Sequence, residues 1–349
     1  MNIVIRPIRE EDFGGLVALV ETIQDNLTTL PPDSSYLEER MHLSIRSFYP
    51  AIRKPGGEYY LFVLEDLDAQ RIAGCCGIIA RTGGFDPFYN YQVRKEPVRH
   101  DPLDIHKTVD VLHLKMDHKG PSEIGSLFLH QDYRKAGLGR LLSLSRFLFM
   151  AQFSERFERE VVAEMRGFID EQGTSPFWEA ICRPFFGTDF RTADILSGVS
   201  DKTFIKNLMP VYPIYVDLLP EAAQWVIGRV HKFTEPALKM LKDEGFAVTD
   251  CIDIFDGGPM VKAQFDRIRP IRDRTCETVA EIVDTIEDGS QNPWLLGNLD
   301  LDYRACLGSA EEASGGGLRI DAKTASLLQI GEGDSIQYVS LRPEKGPSS

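Results

Sequence analysis

Positive charge is what this sequence has least of. Lys and Arg number 39 against 53 Asp and Glu, a formal net charge of -14. Binding to nucleic acid through phosphate neutralisation needs clustered Lys and Arg, so no nucleic-acid partner is expected. The same balance suits a cationic substrate. Long apolar runs are missing as well: none reaches the roughly 18 residues of a membrane span, so no membrane partner is expected. The N-terminus, MNIVIRPIREEDF, has no basic region, apolar signal core or small-residue cleavage site, which makes a cytoplasmic location the expectation. Cysteine is sparse. None of Cys75, Cys76, Cys182, Cys251, Cys276 and Cys306 has metal-ligand spacing, so the expectation is reduced thiols and no metal. Repeats of solenoid length are absent.

What is present is an ordinary globular composition, 43% hydrophobic and 26% charged over 349 residues, enough for two domains or one enlarged domain. Residues 2–8 alternate as a strand, and residues 10–24 place Phe13, Leu16, Val17, Val20 and Ile23 at helical spacing. Residues 59–65 (YYLFVLE) and 71–80 (RIAGCCGIIA) flank DLDAQ and read as a β-hairpin. Residues 81–122 look irregular, rich in Gly, Pro, His and aromatics. A strand at 124–129, a helix at 138–153, a strand at 161–165 and a helix from about Ser175 come next. Helices over 201–209, 221–230 and 235–244 then lead to strands at 246–255 and 261–268, joined by the turn DGGP. The order is mixed α/β. Beyond Arg272 short strand patterns, a GGG loop at 315–317 and a last strand at 335–341 predict a small β-rich C-terminal subdomain, residues 273–349.

Between the strand at 124–129 and the helix at 138–153, Arg134, Gly137 and Gly139 spell R-x-x-G-x-G. Glycines let backbone N–H groups approach a ligand, and a helix N-terminus adds partial positive charge, so the turn suits a pyrophosphate. A surface turn that merely holds glycines is the plainer alternative. The turn lacks the Lys-Ser/Thr ending of a nucleotide-triphosphate loop and the first glycine of a dinucleotide fingerprint.

The order strand, helix, hairpin, strand, R-x-x-G-x-G and helix resembles the GNAT acyltransferases. The segments DNLTTLPPD, DPFYNYQV, VVAEMRGFIDEQGTSPFWEAICRPFF, FIKNLMPVYPIY, IGRVH and CIDIFDGGPMVKAQFDRIRPIR resemble the arginine N-succinyltransferase family over residues 1–272, with a far weaker match beyond. The resemblance implies an enlarged GNAT-like fold on a mixed α/β (α+β) sheet. Its acyl-CoA core would span about residues 1–198 and its extension 199–272. It implies an acyltransferase of arginine catabolism that uses succinyl-CoA as acyl donor and L-arginine as acceptor. Broad apolar content and aromatic-rich segments such as FFGTDF and PVYPIYV suggest association, so a dimer is expected, either a homo-oligomer or a heteromer with a homologous subunit. Ornithine or another basic amino acid as the acceptor, or a non-catalytic or regulatory subunit of a heteromeric succinyltransferase, are the competing readings.

Residue roles come from that resemblance. Arg134, Gly137 and Gly139 would bind the coenzyme, and the backbone N–H near Leu127 would polarise the thioester carbonyl. The Leu127 side chain itself reads as core. His231 would be the proton donor; read without the resemblance, it is a helix-terminal histidine beside a helix dipole. Tyr212 and Tyr215 are reserve proton donors, or else buried aromatic packing. Thr28 and Thr29 would supply hydroxyls to the substrate pocket. The paired donors of Arg166 match carboxylate geometry. Glu164, with Asp170 and Glu171, would face the guanidinium, or form a solvated acidic face.

Overall fold

The computed structural model describes the chain apart from residues 24–28, 136, 200–202, 287–292 and 344–349. It begins with β1 (Ile3–Pro7), α1 (Phe13–Glu21) and α2 (Ser34–Ser47). The Asp33 side chain starts α2 by accepting the Tyr36 N–H at 2.8 Å. The expected hairpin is present as β2 (Tyr59–Asp66) and β3 (Arg71–Ile79), paired antiparallel.

Both faces of β2 are covered, which is why its sequence is a continuous apolar run. Tyr59, Leu61 and Val63 pack with Leu16 and Leu19 of α1 and Leu37 and Met41 of α2. Tyr60, Phe62 and Leu64 point to the opposite face, against Leu141, Leu144 and Phe149 of α3 (Leu138–Gln152). The sheet is thus the middle layer of three.

Residues 81–122 are not irregular. They form β4 (Gly83–His100) and β5 (Ile105–Lys119), a long antiparallel hairpin. From 94 to 108 almost every residue is exposed, so no apolar alternation marks the outer half of this hairpin as strand.

β6 (Ser122–Leu129) runs antiparallel to β3 and parallel to β7 (Glu160–Glu164). The parallel pairing consists of Ser122 with Val161 and Glu123 with Val162. Beyond that the two strands part. The chain then enters a helical layer around the buried Trp178. It comprises α4 (Pro176–Ile181), α5 (Arg183–Phe186), α6 (Phe190–Val199) and α7 (Thr203–Leu208), with β8 (Ile214–Tyr215) and α8 (Glu221–Val226) after them. Next come α9 (Glu235–Asp243), β9 (Ala247–Ile252) and β10 (Pro259–Gln264), the last lying between β7 and β9. Among the described residues, no helix is long and apolar enough to cross a membrane.

The C-terminal stretch holds α10 (Arg269–Arg272), β11 (Thr275–Val283), β12 (Trp294–Gly297) and β13 (Ala305–Gly308). It closes with β14 (Ala310–Glu312), β15 (Leu318–Asp321), α11 (Ala322–Leu328) and β16 (Ser335–Ser340). Its strands continue the main sheet through β13, where Ala305 faces Ile5 of β1. The sheet order among the described residues is β14-β15-β11-β16-β12-β13-β1-β2-β3-β6-β7-β10-β9-β4-β5-β8. Tyr303 anchors this junction: its buried ring packs edge-on to Phe62, and its hydroxyl donates to the Ser145 carbonyl of α3 at 2.9 Å.

Replacing Tyr303 with Ala should therefore destabilise the whole chain by about 3–5 kcal/mol, as aromatic truncations in cores do. Urea unfolding monitored by circular dichroism measures this. A loss confined to a separate C-terminal transition would contradict the shared core.

Candidate active site

The fork between β6 and β7 opens a cavity of about 1770 Å³. That exceeds the roughly 300–1,000 Å³ of a pocket for one drug-sized ligand. On the β6 side the pairing with β3 shifts register between Cys75 and Gly77, and Ser126 takes a positive φ of 52°. A non-glycine residue pays on the order of 1 kcal/mol for that conformation, and local hydrogen bonds hold it there. The Ser126 hydroxyl lies 2.6 Å from the Tyr59 hydroxyl and donates to Thr29 Oγ1 at 3.0 Å. From α3 the buried Arg146 donates to the Gly125 and Gly77 carbonyls at 3.2 and 3.4 Å, which ties the bulge to the helix. Leu127, directly after Ser126, is half-buried and lines the cavity. Its position past the last β7 pair leaves that stretch of β6 without a second strand partner.

The basic turn lies at the end of β6. Arg134 Nε donates to the Leu129 carbonyl at 3.0 Å, and the guanidinium lies 5.9 Å from the Phe128 ring centroid. Gly137 caps α3 with a φ of 79°, and a Cβ there would sit 2.9 Å from Leu341 Cδ2. Only glycine meets both demands without strain. Gly139 and Arg140 occupy the second and third helical positions, where N–H groups have no intrahelical acceptor. Arg134, Lys135, Gly137, Gly139, Arg140 and Lys239 all line the cavity, which makes this region cationic. A pyrophosphate suits it. His130 lines it too, with Nδ1 accepting the Asp132 N–H at 3.4 Å.

The β7 side supplies the other wall. After Glu164 the chain is stitched to two distant loops: Met165 N–H donates to the Pro259 carbonyl at 3.0 Å, and the His231 N–H to the Arg166 carbonyl at 2.8 Å. Gly167 donates to Asp256 Oδ2 at 2.8 Å and bridges to Val230. These links bring His231 to the cavity, where it lies 9% exposed. Its Nδ1 accepts the Phe233 N–H at 3.4 Å, and its ring stands edge-on to Phe233 at 5.2 Å. The residue is not at a helix end: α8 stops at Val226, earlier than the expected 221–230 helix, and Gly228 turns the chain with a φ of 70°.

Glu164, Arg166 and Thr29 also line the cavity, whereas Thr28 lies outside the described residues. Arg166 is already engaged: its guanidinium donates to Asp194 at 3.1–3.3 Å and lies 3.7 Å from Asp256. Its two terminal nitrogens are thus engaged by one protein carboxylate, and its Nε faces a second. Asp170 does not reach the cavity but orders its own loop, accepting the N–H groups of Gln172 and Thr174 at 3.0 and 2.8 Å. Glu171 is exposed. Tyr212 and Tyr215 are 82% and 45% exposed and line no part of the site, so they are neither proton donors there nor buried packing.

Among the cavity-lining residues that sequence reasoning overlooked are the acids Asp194, Asp253 and Asp256 and the cation Arg40. The turn FDGGP was legible, but only the fold shows that its glycines let two backbones touch: a Cβ on Gly258 would stand 2.1 Å from the Met165 carbonyl. Burial, and then the nearby charge of Asp253, push Asp256 up to about 7; Arg166 and the N–H groups of Gly167 and Gly258 oppose them. Asp253 is raised for the same first reason, its burial. Burial also raises the Tyr59 hydroxyl to about 12, against the pull of Arg40, so it stays neutral.

The Asp256 shift has a measurable sign. Unfolded, this carboxyl ionises near its ordinary 3.8; folded, it holds its proton to about 7. Between those values the native state binds a proton the unfolded chain has released, so this group makes stability fall as pH rises, with no further change above. Asp256→Asn removes that contribution. Between about pH 5 and about pH 7.5 the wild type should lose more urea resistance than the variant, and parallel losses would contradict the assignment.

Comparison with known proteins matches this architecture. The family model described as arginine N-succinyltransferase beta subunit covers residues 3–270, and that of its C-terminal domain covers residues 277–340. The likeness therefore runs through the C-terminal strands, where the sequence resemblance was weak. The chain is 40% identical over 342 residues to arginine N-succinyltransferase subunit beta of Pseudomonas aeruginosa, covering 98% of this chain and 99% of that one. It is 41% identical over 343 residues to arginine N-succinyltransferase of an Enterobacter species, covering 98% of each. The solved structure of arginine/ornithine succinyltransferase subunit AI from Pseudomonas aeruginosa superposes with a TM-score of 0.88 at 34% identity, covering 98% of this chain and 99% of that one. With its fold, its full-length relatives and both family models in agreement, the chain belongs to the arginine N-succinyltransferase family.

Proposed function

We propose that this chain transfers the succinyl group of succinyl-CoA to the α-amine of L-arginine. One observation carries the reading: a single cavity joins the cationic R-x-x-G-x-G turn, the parted strand at Leu127, His231 and a set of carboxylates. Arg134, Gly137 and Gly139 hold the coenzyme pyrophosphate at the N-terminus of α3. The backbone N–H near Leu127 polarises the thioester carbonyl, and one such donor is worth about 3 kcal/mol in acyl transfer. Glu164 and its acidic neighbours favour a cationic acceptor.

The chemistry needs three proton movements. The α-ammonium of arginine releases a proton so that its nitrogen can attack the thioester carbon. As the carbon–sulfur bond breaks, the thiolate takes one proton and the new amide gives one up, for a net release of one proton to solvent. Histidine is the side chain whose ordinary ionisation lies nearest neutrality. Of the two that line the cavity, His130 sits beside the coenzyme turn, and His231, on the wall with the carboxylates, carries these transfers. Ornithine is the second reading, supported by the name of the arginine/ornithine enzyme whose structure superposes on this one. The subunit names of the relatives support assembly with a second copy or a homologous chain. A cytoplasmic setting is part of this reading.

Purified chain mixed with succinyl-CoA and either arginine or ornithine tests it, by thiol release and by mass spectrometry of the product. Faster release with arginine and a succinyl adduct on its α-nitrogen are expected. Coenzyme binding without release would favour a non-catalytic subunit.

Two variants test the roles. His231→Ala should lower kcat by about 10²- to 10⁴-fold while leaving the Kd for succinyl-CoA nearly intact. Gly137→Val should weaken coenzyme binding first. Full turnover by the His231 variant would remove the histidine from the mechanism.

A further inference from the structure

Arginines line the cavity at several points, and Arg40 differs from the others. Arg134 is bonded to the Leu129 carbonyl, Arg140 to Asp243 and Glu244, and Arg166 through its terminal nitrogens to Asp194, with its Nε facing the Asp256 carboxylate at 3.7 Å. Arg40 makes no hydrogen bond or ion pair among the described residues, and its Nε is buried without an acceptor. Buried donors in folded proteins are nearly always satisfied, so an unmet one in a binding cavity marks where a ligand's acceptor belongs.

The guanidinium is held ready. Arg40 projects from α2 over Tyr59, with Cζ 3.6 Å from the ring centroid and 5.8 Å from that of Tyr36. Stacking on an aromatic face fixes the plane of a guanidinium while leaving its in-plane donors available, the geometry that matches a carboxylate with two parallel bonds. Tyr59 also locates it. The hydroxyl of that ring meets Ser126, the bulge residue next to Leu127, so Arg40 lies one tyrosine ring away from the strand where the thioester carbonyl is to be polarised. The carboxylates on the β7 side, Glu164 and Asp194, belong to the opposite wall, where Arg166 is occupied by Asp194.

We propose that Arg40 binds the terminal carboxylate of the acyl group and thereby selects succinyl over monocarboxylic acyl thioesters. This rests on the succinyl-transfer reading and assigns its acyl specificity to one side chain. Arg40 is a substrate-binding residue, distinct from the proton transfers of His231. The α-carboxylate of the acceptor is the competing ligand for the same donors, and its side of the cavity argues against it.

Calorimetric binding of succinyl-CoA and butyryl-CoA, which carries a methyl in place of the carboxylate, tests this without requiring turnover. The wild type should prefer succinyl-CoA by about 10-fold or more, the scale of a charged hydrogen-bonded pair. Arg40→Met should abolish the preference by weakening succinyl-CoA alone, and Arg40→Lys should restore part of it. In turnover the Met variant should lose about 10-fold or more in kcat/KM for succinyl-CoA with the KM for arginine unchanged.

No preference in the wild type, or equal loss of both thioesters in a folded Met variant, would overturn the proposal. A raised KM for arginine with the thioester preference intact would overturn it in favour of the acceptor's carboxylate. If the Met variant fails to fold, as its thermal melt would reveal, Arg40→Gln replaces it with the same expectations. A wild type that prefers succinyl-CoA yet succinylates no amine would overturn the proposed reaction and leave the Arg40 assignment standing.

Discussion

The separation of β6 from β7 is the constraint on which the site depends. Parallel strands ordinarily continue their ladder, because each further residue satisfies backbone donors and acceptors. Here the ladder ends at Glu123 and Val162, and each strand then turns to partners of its own. On β6 the bulge at Ser126 turns the strand, held by Tyr59, Thr29 and Arg146. On β7 the chain beyond Glu164 finds other partners in the Pro259 carbonyl, the Asp256 carboxylate and the loop at Val230 and His231. Each strand is held by other parts of the fold, so the cavity between them does not close and the backbone of β6 near Leu127 lines it.

Charge within that cavity is arranged against the character of the whole chain. The net charge of -14 would repel a coenzyme bearing several phosphates, yet the turn after β6 collects Arg134, Lys135, Arg140 and Lys239 at a helix N-terminus. Most of the cavity's carboxylates, Glu164, Asp194, Asp253 and Asp256, line the β7 side, while Asp243 at the other end is held by Arg140. Two substrates of opposite charge can therefore enter one cavity and be sorted by its ends.

The C-terminal strands take part in this arrangement. Leu341, just past β16, packs so close to Gly137 that a Cβ there would sit 2.9 Å from its Cδ2. The fully buried Glu244 holds Arg140 at 2.6 Å and Arg269 at 2.5 Å, and Arg269 in turn donates to the Ser340 carbonyl at 2.8 Å. Such a buried charge is tolerable only when paired and hydrogen-bonded on both oxygens, as this one is. The network ties the glycine turn to the last strand, β16, and gives the C-terminal strands a part in shaping the cavity.

Local patterns in the sequence determined the hairpin of β2 and β3, the strand β6, the glycine turn and α3, because each is set by neighbours in the chain: apolar runs, turn residues, helical spacing. Gly137 was legible for the same reason. Tertiary structure alone decided the rest. The β4–β5 hairpin has too little burial along its outer half to leave a period in the sequence. Asp194, Asp253 and Asp256 form a group only after two separate segments converge on Arg166, and Arg40 on α2 meets Tyr59 only across the packed face of the sheet. Contacts between residues far apart in sequence are selected by packing and by satisfaction of buried polar groups, and neither leaves a periodic mark that the sequence alone can carry.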